Sequence, residues 1–70
     1  MSDWVDNLIK EDNELVEKIT KLRKYLETAN SPPNTPEHQH EALLMVQLAI
    51  MESYERVLGC RIDLLPDLNQ

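Results

Sequence analysis

Val5, Leu8, Asp12, Leu15, Ile19, Leu22, Leu26 and Ala29 follow one another at alternating steps of three and four residues. Such spacing keeps apolar side chains on one stripe of an α-helix, and a strand cannot use it. Asp12 is the single polar interruption. Ile9 and Val16 widen the stripe on one flank, and Trp4 and Tyr25 stand on the other. No Gly or Pro falls between Asp3 and Ala29. Ser2 or Asp3 can cap the start. Asp3 and Asp6 precede Lys21, Arg23 and Lys24, the order that suits a helix dipole.

Asn30-Ser31-Pro32-Pro33-Asn34-Thr35 breaks this pattern, because consecutive prolines cannot continue a helix. Thr35-Pro36-Glu37 then supplies an N-cap, a first-turn proline and a first-turn acid, which predicts a second helix. Two seams run along it. Leu44, Gln47, Met51, Tyr54 and Leu58 form one; Leu43, Val46, Ile50, Ser53, Val57, Cys60 and Leu64 form the other. A helix apolar on two sides is expected to be covered on two sides. The sequence thus predicts one all-α domain over residues 1–70, with a helix over about 3–29, a hinge at 30–35 and a helix over about 36–65. Pro66 is expected to stop the second helix, and the four residues after it leave little room for a third. Each helix is about 40–45 Å long at 1.5 Å per residue. Matched lengths and a short hinge give an antiparallel two-helix hairpin. One helix cannot cover both faces of its partner, and so small a hairpin lacks a closed core. A homo-oligomeric helical bundle, a dimer or tetramer, is therefore expected. Leu43, Leu44, Val46, Gln47, Ile50, Met51 and Tyr54 are its expected interface.

Thirteen acidic against seven basic residues leave a charge of −6, which argues against DNA, RNA or an anionic membrane as partner. A single Cys excludes an intrachain disulfide and a CxxC metal site. Cys60 reads as a buried structural residue. Without a spanning apolar run or a signal peptide, the expected location is the cytoplasm. His38 and His40 point to nearly opposite faces, so no metal site and no cofactor are expected. No nucleophile–base pair is visible, so the chain is not expected to be an enzyme.

Two polar features stand out. Lys18, Lys21, Arg23 and Lys24 are four cations in a run without acids, ending at Tyr25. In an antiparallel hairpin they approach the start of the second helix and His40. Cations grip phosphate and an aromatic ring stacks on a base. These residues are therefore candidates for a nucleotide-like ligand, with Arg56 and Arg61 as an alternative cationic end. The competing explanation is complementation of the helix dipole. Asp12 is expected either to specify register or to pair with Arg56 or Arg61. Trp4 is expected to pack near Ile62 or Leu65, and Gly59 to allow a partner helix close.

Trp4, Leu8, Glu14-Leu15, Lys18-Ile19, Lys21-Leu22 and Tyr25-Leu26, followed by Leu43-Leu44, Gln47-Leu48, Met51, Tyr54, Leu58 and Arg61-Ile62, resemble a group of small phage and prophage helical-hairpin proteins. The Pro32-Pro33 hinge and the Gly59-Cys60 step depart from that pattern. The resemblance implies an anti-defence accessory protein. One form is a sponge that sequesters a nucleotide-derived immune signal in the host cytoplasm, as anti-CBASS and anti-Thoeris proteins do. The alternative is a stoichiometric protein inhibitor, in the manner of anti-CRISPR proteins, acting through the acidic residues Glu14, Glu17, Glu52 and Glu55.

Overall fold

The computed structural model describes residues 3–68. Helix α1 spans Asp3–Thr28, α2 spans Pro36–Asp63, and α3 is a single turn over Leu65–Leu68. The first two form the hairpin, a rod with Cα extents of 55 × 15 × 14 Å.

The α1 stripe is the one its spacing predicts. Leu8, Leu15 and Ile19 are buried, and Val5, Asp12, Leu22, Leu26 and Ala29 are half-buried. On α2 the stripe facing α1 is Glu41, Leu44, Leu48, Met51, Glu55, Leu58 and Ile62, continued by Leu65 of α3. Leu58 is fully buried at its centre. This corrects the expected first seam: Leu44, Met51 and Leu58 do face α1, but Gln47 and Tyr54 are exposed beside it. The true stripe admits two acids, Glu41 and Glu55, and reading only apolar residues had shifted it sideways.

Asn34 takes a left-handed φ of 65° and turns the chain into α2. Thr35 caps α2 as its residue type predicts: its Oγ1 accepts the His38 N–H at 3.1 Å and donates to the Pro32 carbonyl at 2.7 Å. Glu41 ties the hinge to α2 by accepting the Ser31 N–H at 3.4 Å and the Ser31 hydroxyl. At the far end α2 stops at Asp63, and Pro66 is the second residue of the short helix α3. A third helix therefore does form, because proline is compatible with the first turn of a helix. Ser2, a proposed cap, lies outside the described residues.

No helix among the described residues is long and apolar enough to cross a membrane.

Candidate functional site

Leu43, Val46, Ile50 and Val57 on α2, and Leu64 at its C-cap, hold large apolar surfaces in the open. With Ser53 and Cys60, also exposed, they make up the second predicted seam. Ile50 is 64% exposed although it lies at the middle of the helix. The expectation that Cys60 is buried fails for the single chain, because this seam faces solvent. Gly59 likewise has open space where a side chain would stand, so no helix of the same chain approaches it. Trp4 is 47% exposed.

The cations do not converge on one point. Lys18, Lys21, Arg23 and Lys24 lie within two turns, and successive residues on a helix diverge by about 100°. Arg23 crosses the hairpin to pair with Glu52. Lys21 pairs with Glu17 on its own helix at 3.0 Å. Both pairs are exposed and contribute little to stability. Among the described residues, Lys18, Lys24, Arg56 and Arg61 form no ion pair. The last turn of α1 holds no basic residue, since the run stops at Lys24 and the helix continues to Thr28. Dipole complementation, which acts within the last turn, therefore does not account for these cations.

Tyr25 and His40 are brought together. They line a shallow depression of about 310 Å³ at the hinge end, with Ser31, Pro36, Glu37 and Glu41. Further along the same edge, Tyr54 donates its hydroxyl hydrogen bond to Glu11. Arg56 and Arg61 lie on the exposed side of α2, away from the hinge. Of the expected interface residues, Leu44 and Met51 are half-buried against α1, while Leu43, Val46, Gln47, Ile50 and Tyr54 are exposed.

Among the described residues, Asp12 does not pair with Arg56 or Arg61. It meets Glu55 instead. The Glu55 carboxyl is raised above its ordinary value of 4.5, first by a hydrogen bond with Asp12, then by burial, then by repulsion from the Asp12 charge. The Asp12 Oδ1 atom is buried without a hydrogen bond. Sequence reasoning missed this pair because Glu55 was assigned to an acidic outer face. Its place in the 41-44-48-51-55-58 spacing was the available signal.

Among the described residues no group of three potential metal ligands comes together. The model of the Sequestin family matches residues 2–64 of the chain. The chain belongs to the Sequestin family. The family name denotes sequestration, with which a sequestering, non-enzymatic role is consistent. No curated protein and no solved structure matches the chain.

Proposed function

We propose that this chain is a non-enzymatic sequestering protein that binds a nucleotide-derived anion as a homo-oligomeric helical bundle. Withdrawal of a host immune signal during phage infection is the setting in which we place it. The observation that carries the reading is membership of the Sequestin family across residues 2–64. Three features support it. In a chain of net charge −6, four cations, Lys18, Lys24, Arg56 and Arg61, are left without an acidic partner among the described residues. Tyr25 and His40 offer ring faces at the hinge, with Lys24 next to Tyr25 in sequence. The exposed α2 seam offers a surface on which copies of the chain can associate. Capture needs affinity alone, and charge-assisted contacts to phosphate supply it without a nucleophile.

The alternative, a protein inhibitor acting through acidic faces, is less well supported. Of its four acids, Glu52 is engaged by Arg23 and Glu55 by Asp12. Titration calorimetry with cyclic dinucleotides and ADP-ribose derivatives, followed by analysis of the recovered ligand, tests the proposal. Saturable binding and return of unaltered ligand are expected. No binding, or a ligand returned cleaved, would overturn it and favour the inhibitor or an enzyme respectively.

A further inference from the structure

Asp12 Oδ1 is buried and accepts no hydrogen bond from an N–H or hydroxyl among the described residues. A buried acceptor left without a donor is costly. Asp12 stands on the α1 stripe between the buried Leu8 and Leu15, so a donor has to come from the facing helix. The side chain that meets it there is Glu55, half-buried on the inner stripe of α2 one turn before the fully buried Leu58. Two carboxylates cannot hydrogen-bond each other. A carboxylic acid and a carboxylate can, through one proton.

The charged groups around the pair leave that proton as the available donor. On α1, Glu11 already accepts from Tyr54, and Arg23 is engaged by Glu52 of α2. Arg56, next to Glu55 in sequence, is exposed. From α3, Leu65 adds an apolar side chain to the same core, and Asp67 is the acid of that turn. Among the described residues no Lys, Arg or His forms an ion pair with Asp12 or Glu55. Glu55 also borders a shallow depression of about 190 Å³ with Val16, Ile19, Thr20, Arg23 and Glu52. An ionised Glu55 has room to turn into it, toward water.

We propose that Asp12 and Glu55 form a proton-operated latch between the two helices: one proton, held by Glu55 and donated to Asp12, closes α1 onto α2, and its loss lets the half of the hairpin remote from the hinge open. With the proton in place, Asp12 has its donor and the pair carries a single negative charge. Without it, two like charges face each other across an apolar stripe and Asp12 loses that donor. Relief comes when Glu55 turns into the depression and water reaches Asp12. The Thr35 cap and the bonds from Ser31 to Glu41 lie at the hinge, beyond the latch, and hold that end closed. The latch uses none of the cations or ring faces on which the sequestering reading rests, and it stands or falls apart from that reading.

The test is amide hydrogen exchange on the full chain, followed residue by residue by NMR across pH, beside the carboxyl carbon titration of Glu55. In the fold this carboxyl is raised above its ordinary value of 4.5, first by the bond with Asp12, then by burial and by repulsion from Asp12. Protection of the Leu15 and Leu58 amides is therefore expected to be full below 4.5, to weaken by up to about tenfold per pH unit as pH rises toward the raised value, and to level off above it. Leu26 and Leu44, near the hinge, are expected to lose protection later. A uniform loss along both helices overturns the local latch. Glu55→Gln keeps a donor to Asp12 at every pH and is expected to remove the pH-dependent segment with protection retained. Asp12→Asn donates to an ionised Glu55, so it is expected to return the Glu55 titration to its ordinary value or below and to remove the same segment. Glu14→Gln, on the exposed side of α1, is expected to leave it in place. A segment that persists in Glu55→Gln overturns the proposal. So does a wild-type Glu55 that titrates at its ordinary value, a result that needs no variant to fold.

Discussion

The inner and outer faces of α2 have the same three-four spacing and opposite circumstances. The inner face is covered by α1, centres on the fully buried Leu58, and accommodates two carboxylates. The outer face is more uniformly apolar from Leu43 to Leu64, is exposed throughout, and has Arg56, Arg61 and Asp63 at its rim. Hydrophobicity alone would rank the outer face as the core. What decides the inner face is the covalent hinge, which delivers α1 to one side. The most apolar stripe in a short chain can thus be the one kept for another molecule.

The comparison breaks most severely at its centre. Leu58→Ala should destabilise the hairpin by about 2–5 kcal/mol, because a fully buried leucine is lost and a cavity remains. Chemical denaturation followed by circular dichroism reads this. Ile50→Asp on the outer face should leave each hairpin's inner contacts in place yet abolish association at micromolar concentration. Sedimentation equilibrium would show a monomer mass, and an unchanged mass would mean that the outer face is not where copies meet. Thr35→Ala touches neither face and removes the cap of α2. It should cost about 1 kcal/mol and serves as the reference for a purely local loss.

The smallest effect sharpens the inner face. Glu55 titrates above its ordinary value in the fold, so the pair with Asp12 favours the folded state most when the carboxyl is protonated. That contribution is complete below the unfolded value of 4.5 and is lost as pH rises through the raised value. Melting temperature should therefore gain from this pair on mild acidification below neutrality. Glu55→Gln should raise stability near pH 7 and flatten that segment of the profile. A profile identical to wild type would remove the pair from the account.

Much of the hairpin was legible because its signals are local. The α1 stripe, the Pro32-Pro33 break and the Thr35 cap each depend on neighbours in sequence, and each is where the spacing places it. The inner stripe of α2 was less legible, since two apolar seams compete there and Glu41 and Glu55 disguise the one that α1 covers. The Asp12–Glu55 pair needed the rotational phase of both helices, which composition does not carry. Cation pairing was equally hidden: Arg23 reaches Glu52 only across the hairpin, while Lys18 and Lys24 of the same run reach no acid among the described residues. The short α3 was missed because Pro66 reads as a terminator from the α2 side and as a first-turn residue from its own.

The 55 × 15 × 14 Å outline has a hydrodynamic consequence. A single hairpin is a slender rod, and its friction with solvent is governed by its length. Side-by-side pairing through the outer face of α2 doubles the mass and the girth while adding little length. The frictional ratio should fall on association, so the dimer would sediment faster, for its mass, than the single rod. Joining the same rods at their tips would raise that ratio instead, so the shape of the sedimentation boundary distinguishes side-by-side from end-to-end assembly before any interface residue is altered.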